Sequence, residues 1–440
     1  MKIKIKLYDI SFMTLSIANV FLINKFEFLF LTYVLIGMLV LFKMVNILDN
    51  ENFLLYSLFI PNKYVQLLSV LLFLIFSNKI ITKKIRIRES IFILYIIFVG
   101  IINCIVYNGF YFCVFFQVVF YYCVLQLMDY FNRHFSLDAI LINFNKMFYL
   151  QIISILIEYL ILHETMDALT GTLISAHYLG VFLLIYAYIL CKNRNFYKKK
   201  YIFYIKMIIL LIALYFIDAK HIVLAFFCAL LLAKVFSLLK IKCKFTLLMM
   251  IVTGLIVLFL WGVNSSVANE FIVRNQFLST YILNDNYNKK FQFYINTFHE
   301  LKGFHGLFGY GVGEYGSQIC ITFSKGIIYD WNNTLSAYCY GIVPFFKAIK
   351  GLMTEWYSNI GIVISSMVLG YPFVSYIALV SELGIIGLFL FMRIFDKKYE
   401  YSNGVFIIMF LLLTHFDTYF EIPCVFVLIL IAEKINNKKI

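Results

Sequence analysis

The feature that most limits this chain is its succession of apolar runs, each about 15 to 22 residues long, separated by short clusters of Lys and Arg. A helix needs on the order of 20 apolar residues to cross the ~30 Å hydrocarbon layer with its backbone groups bonded internally. Repeated runs of that length make the bilayer the solvent. With 63% hydrophobic and 14% charged residues among 440, the chain lies far from the half-apolar, quarter-charged balance of soluble domains. The expected fold class is an all-α polytopic integral membrane protein.

A formal charge of +14 raises the question of nucleic acid, but the cations sit between apolar runs and form no soluble basic domain. They report orientation, because Lys and Arg concentrate in short cytoplasmic loops. Clusters at 79–88, 192–200 and 240–244 read as cytoplasmic, so even numbers of crossings must separate them. Runs near 90–106, 109–128, 147–162 and 174–191 satisfy the first interval, and 201–217 with 221–238 the second. The run 245–263 then leads outside, 264–358 forms a long outer loop, and runs near 371–392, 404–416 and 422–434 return the tail to the cytoplasm. The nine cysteines lie mostly inside apolar runs without CxxC or metal-ligand spacing, and read as small buried hydrophobes.

The N-terminus resists this count. Lys2, Lys4 and Lys6 precede an apolar stretch without a small-x-small cleavage site, which reads as a retained first helix. Runs at 8–23, 27–45 and 64–78 would leave those lysines outside. Either the first 45 residues cross once, with part in the interface, or the lysines break the charge rule. The expectation is 12 or 13 transmembrane helices, divided into an N-terminal helix bundle (1–263), a large outer loop with amphipathic helices (264–358) and C-terminal helices (359–440).

A loop of that length is functional or carries structure of its own. Within it, KKFQFYINTFHEL (289–301) places Phe291, Tyr294, Ile295, Phe298 and Leu301 at helical spacing, an amphipathic helix suited to the membrane surface or the bundle. A second interfacial or re-entrant segment is expected at 342–353. Next, LFGYGVGEYGS (307–317) gathers Gly309, Gly311, Gly313 and Gly316. Such a string either turns flexibly or lets backbone amides converge on an anion. It lacks the strand and helix of a dinucleotide site. His299 and His305 flank it and read as surface residues or as bases near neutral pH. Lys289, Lys290 and Arg274 are either solvated or placed to meet a phosphate.

Charges inside or at the edge of the membrane cost about 2.5 kcal/mol or more and are functional candidates for that reason. These are Glu158, Asp218, Lys220, His221, Glu382, His415, Asp417 and Glu421. Glu382 stands just before Gly384 and Gly387, where a small-residue face allows close helix approach, and Glu158 reads as snorkelling or accepting a hydrogen bond.

In this order the stations resemble the O-antigen polymerase and O-antigen ligase superfamily of bacterial envelope glycosyltransferases, over about residues 145–435. The resemblance rests on GTLISAHYLGVFLL (171–184), DAKHIVLAFF (218–227), FHELKGFHGLFGYGVGEYGS (298–317) and SYIALVSELGIIGLFLF (375–391). Lys220 stands where the family commonly has Arg, and Lys289 or Lys290 near another usual Arg, which keeps the charge without the bidentate fork. Phe373 occupies the place where ligases carry a His-Asn pair, which favours the polymerase side.

The resemblance implies transfer of a growing glycan from undecaprenyl pyrophosphate to a sugar hydroxyl of an incoming lipid-linked repeat unit, outside the bacterial cytoplasmic membrane. The product would be O-antigen, capsule or another exopolysaccharide. Such chemistry needs cations beside the diphosphate, a base for the hydroxyl and an apolar flank for the lipid. The residues implied are Glu314, His299 or His305 as base or acceptor contacts. For substrate binding they are Lys220, His221, Arg274, Lys289, Lys290, Gly309, Gly311, Gly313 and Glu382. No cofactor or metal is expected. Expected partners are undecaprenyl-pyrophosphate-linked glycans and membrane lipids, with a flippase and a chain-length regulator beside them, and no nucleic acid. The ligase and a lipid-linked oligosaccharide flippase are the alternatives.

Overall fold

The computed structural model describes residues 6–26, 30–77, 87–107, 111–133, 137–165, 168–192, 194, 200–217, 219–239, 245–263, 294–315, 317, 375–398, 404–415 and 419–437. Among them the chain is helical, with no strand. In order these are α1 (Leu7–Phe26), α2 (Phe30–Met44), α3 (Asn50–Leu58), α4 (Lys63–Phe76), α5 (Ile87–Tyr107) and α6 (Tyr111–Arg133). They continue with α7 (Leu137–Leu160), α8 (Ala176–Lys192), α9 (Lys200–Phe216), α10 (Lys220–Leu238) and α11 (Phe245–Val263). A turn of helix at 294–300 precedes α12 (Phe304–Phe308), α13 (Ser375–Lys398), α14 (Val405–Thr414), a 3₁₀ turn Tyr419–Glu421 and α15 (Pro423–Asn437).

Stretches in α5, α6, α10 and α13 are long and apolar enough to cross a membrane, and shorter apolar helices accompany them. The protein is accordingly a multi-pass helical membrane protein. Its surfaces agree with that solvent. On α10 a stripe of Ile222, Ala225, Ala229 and Ala233 is buried, while Leu224, Phe227, Leu231 and Leu238 point outward. The small stripe lets α10 pack closely on α14, whose residues are all buried. A helix apolar on every side belongs at the centre of a bundle.

The helices share two ends. At one, which we call the basic end, Lys192 Nζ at the close of α8 donates to the carbonyls of Ile435 and Asn436 at 2.6 and 2.7 Å. It thereby caps the last turn of α15, where a cation meets the negative end of the helix dipole. Asp396 near the end of α13 accepts from the Thr246 amide at the start of α11, at 2.9 Å. At the other end, α7 closes, α8 and α10 begin, and the Tyr419–Glu421 turn lies between them.

The N-terminal helices bear on the difficulty in the charge count. Asp9 in the first turn of α1 pairs with Lys146 in the basic-end half of α7 at 2.6 Å, both buried, and also accepts from the Tyr56 hydroxyl. Helix α1 therefore starts at the basic end. Helix α2 returns there, with Thr32 meeting Asn19 across the turn at 3.3 Å. Helix α4, within the run 64–78 counted from sequence as a crossing, forms the second arm of a hairpin with α3. Phe53 at the start of α3 packs on Phe76 at the end of α4, and the tip places Phe59 against Phe182 in α8. Gln66 donates to the carbonyls of Leu58 and Ile60 at 2.8 and 2.9 Å, and Asn62 caps α4 through the amides of Tyr64 and Val65. Non-helical backbone at that depth persists where protein groups satisfy it.

Candidate functional site

Helix α13 is broken at Gly384, whose φ of 62° and ψ of −179° no helix accommodates. The break frees the carbonyls of the preceding turn, and each finds a partner from elsewhere. Ser381 accepts from the Tyr310 amide at 2.8 Å and Glu382 from the Gly311 amide at 3.1 Å. Leu383 accepts from the Tyr95 hydroxyl of α5 at 2.8 Å, which also reaches Phe308 at 3.1 Å. The glycine-rich segment thus replaces the missing turn of α13, which is the physical reason for its glycines. A Cβ on Gly309 would stand 2.3 Å from the Glu382 carbonyl, and one on Gly313 would stand 2.6 Å from that of Cys113, both at positive φ.

The Glu382 side chain binds the same segment. Its carboxylate accepts from the Gly313 amide at 2.8 Å and the Tyr315 amide at 3.0 Å, and from the Ser317 hydroxyl. The anion on which these amides converge is internal. Gly309 donates to the His305 carbonyl at 2.9 Å, so the amides of Gly309, Gly311 and Gly313 are all engaged in this conformation. Glu314 is 0% exposed, with Cys104 Sγ 3.7 Å from its carboxylate. His305 is half-buried, stacked on Tyr310 at 4.2 Å, and its Nδ1 donates to the Gly309 carbonyl at 3.2 Å. A carbonyl only accepts, so neutral His305 keeps its lone pair on Nε2. His299 is exposed on the 294–300 turn.

A second polar group forms where α8 and α10 begin. Glu158 at the end of α7 accepts from the Gly171 amide at 2.8 Å and the Thr170 hydroxyl at 3.0 Å, while Gln151 accepts from the Thr172 amide at 2.9 Å. These bonds fix the turn that launches α8, with Gly171 at φ 60°. Gly180 lets α8 meet α10 closely, since a Cβ there would come 2.6 Å from that of Ala219. The two first turns therefore touch, with the rings of His177 and His221 4.4 Å apart edge to face. His221 Nε2 lies 2.9 Å from the hydroxyl of buried Tyr419, and Lys220 beside it is exposed.

The turn that carries Tyr419 also carries Glu421. Gln117 in the first turns of α6 donates to Glu421 Oε1 at 3.1 Å. Tyr121, one turn further along α6, bonds Gln117 and lies within electrostatic reach of both Glu421 and Glu382. A continuous polar row thus runs from Lys220, His177 and His221 through Tyr419 and Glu421 to Glu382 and the glycine-rich segment. A lysine, two imidazoles and carboxylates gathered at one bundle end suit an anionic ligand and a proton transfer.

Of the residues singled out from sequence, the structure joins Lys220 with His221 and gathers Glu382, Glu314, His305, Gly309, Gly311 and Gly313 around the break in α13. Arg274, Lys289, Lys290, Asp218 and Asp417, with the segment 342–353, lie outside the described residues. Sequence reasoning missed His177, Gln117 and Tyr419 and left Glu421 without a role. The available signal for His177, Tyr419 and Glu421 was position, since each is a polar residue at the outer limit of an apolar run, and for Gln117 it was an amide inside one. Among the described residues no group of three or more His, Cys, Asp or Glu side chains is arranged to hold a metal ion. No family model matches the chain, and neither a curated protein nor a solved structure does.

Proposed function

We propose that this chain is a membrane glycosyltransferase that polymerises undecaprenyl-pyrophosphate-linked repeat units into a surface polysaccharide, acting at the outer face of a bacterial cytoplasmic membrane. In this reading α1, α2, α5–α11 and α13–α15 make twelve crossings, with α3–α4 a re-entrant pair. The chain start and the clusters at 79–88, 192–200 and 240–244 then face the cytoplasm together, as the charge rule requires.

One observation carries the reading: at the end opposite the basic loops, α10 begins with Lys220 and His221, the His221 ring meets that of His177, and His221 bonds Tyr419 of the turn that also carries Glu421. A lysine and two imidazoles near a turn that bears a carboxylate answer the two needs of the transfer, a counter-charge for the diphosphate and a base for the hydroxyl. Lys220, with Arg274, Lys289 and Lys290 of the outer loop, is assigned to the diphosphate. Glu382, Glu314, Gly309, Gly311 and Gly313 lie in the buried part of the segment and hold it on the bundle, and His299 and His305 are assigned to base or acceptor contacts. Membrane lipids flank the site, and a flippase and a chain-length regulator are the expected neighbours.

The break in α13 favours a second reading, since discontinuous helices recur in transporters at their binding sites. Against it, the freed carbonyls are occupied by the glycine-rich segment and by Tyr95 of α5. A deletion strain separates the possibilities. Polymerase loss leaves single repeat units on the surface, and that result is expected. Polymer accumulating on its lipid carrier would mean a ligase, and repeat units trapped inside would mean a flippase; either overturns the proposal.

A further inference from the structure

We infer that residues 294–315 form a re-entrant loop that dips into the leaflet opposite the basic end, where lipid acyl chains cover its outward side chains Phe304 and Leu307. The inference stands on the multi-pass fold alone and holds whatever the chain transfers.

Both limbs of the loop are fixed at the end of the bundle away from the basic loops. Tyr294 donates to the carbonyl of His415 at 3.1 Å, directly after α14 closes, and the Tyr315 hydroxyl reaches that of Thr297 at 3.4 Å. Ser375, which opens α13, accepts from the Phe420 amide of the same end at 3.0 Å. Between its limbs the loop goes deep. It meets α13 at Gly384, where a Cβ would stand 2.3 Å from the Gly309 amide and 2.5 Å from the Leu307 carbonyl. Gly384 lies nine residues past Ser375, about 13 Å along a helix rising ~1.5 Å per residue, within a hydrocarbon layer ~30 Å thick. A second marker agrees, since Tyr95 near the middle of α5 donates to the Phe308 carbonyl at 3.1 Å.

Irregular backbone survives at that depth where protein satisfies its polar groups. In the returning limb the amides of Gly309, Tyr310 and Gly311 bond the carbonyls of His305, Ser381 and Glu382, and those of Gly313 and Tyr315 bond the Glu382 carboxylate. The side chains divide between two faces. His305 stacks on buried Tyr310, and Tyr310 on buried Tyr315, while Phe304 and Leu307 stay 51% and 49% exposed. On α13 just past the break, Ile385 is 63% and Phe389 49% exposed, and Ile385 follows the glycine that the Leu307 backbone abuts. Phe304 and Leu307 thus extend the surface with which α13, long and apolar enough to cross the membrane, meets lipid. Depth and continuity with that surface identify the occupant as acyl chain, and contact with lipid removes the cost of hydrating these side chains.

The test places the full-length protein in lipid nanodiscs that contain a phosphatidylcholine with a diazirine near the end of one acyl chain. After irradiation, mass spectrometry should find carbene adducts on Phe304 and Leu307 as well as on Ile385 and Phe389. A parallel sample exposed to hydroxyl radicals should show no oxidation of Phe304 or Leu307. Oxidation of these two residues without adducts would put the face in water and overturn the inference. Neither reaction at 304–307, with Ile385 and Phe389 labelled, would mean that protein covers the face and would overturn it equally. Labelling at 304–307 by a headgroup diazirine but not by the chain-end probe would leave the loop on the membrane surface, against the depth claimed here.

Discussion

Gly313 donates its amide to the Glu382 carboxylate at 2.8 Å, across a gap in which a side chain on Gly313 would collide with the backbone of α6. One bond thus joins the outer glycine-rich segment to the interior of a helix read as crossing the membrane. The segment is a structural part of the bundle.

Removing that carboxylate should loosen the segment. Glu382→Ala leaves the amides of Gly313 and Tyr315 buried without their acceptor, at about 1–3 kcal/mol for a buried donor left unsatisfied. A lowered Tm in detergent and faster proteolysis within 303–317 are expected, with Glu382→Gln less affected.

The glycines should be intolerant for steric reasons. Gly309→Ala and Gly313→Ala place a Cβ 2.3 and 2.6 Å from carbonyl oxygens at positive φ, and should cost more than the ~1 kcal/mol of an unfavourable backbone conformation. Gly37→Ala, with nothing within 4 Å, should leave Tm unchanged or raised. Thermal melting of the three proteins checks the contrast.

The buried pair Asp9–Lys146 should behave asymmetrically. Lys146→Met alone strands a buried carboxylate, costing about 3–5 kcal/mol, whereas an added Asp9→Leu should recover most of the loss. Equilibrium unfolding of the single and double variants measures it.

The α3–α4 hairpin should give a distinctive topology map. Reporters fused after residues 45 and 78, and a tag at the N-terminus, should all report the cytoplasm. A crossing by 64–78 would put residue 45 outside.

Much of this was legible in the sequence. Helix alternation followed from Lys and Arg placed between apolar runs, and residues 64–78 failed because hydropathy measures length and composition but not whether a run goes through. Only the contacts of Phe59 with Phe182 and Gln66 with its own turn reveal a reversal inside the bundle. In the site, Lys220 and His221 stood out because charge beside an apolar run is costly. His177 did not, since its partner is 44 residues away by number and the approach depends on Gly180 fitting against Ala219. The glycine string was read for what its amides might face; that they face Glu382 is a tertiary fact.

The most direct test of the outward cationic site is Lys220→Ala, introduced on the chromosome, with surface polysaccharide resolved by length on a gel. The account predicts collapse to single repeat units, on the order of a 10²–10³-fold loss of transfer for a removed electrostatic contact, with Lys220→Arg retaining polymer. Polymer of undiminished length and yield from Lys220→Ala would contradict it.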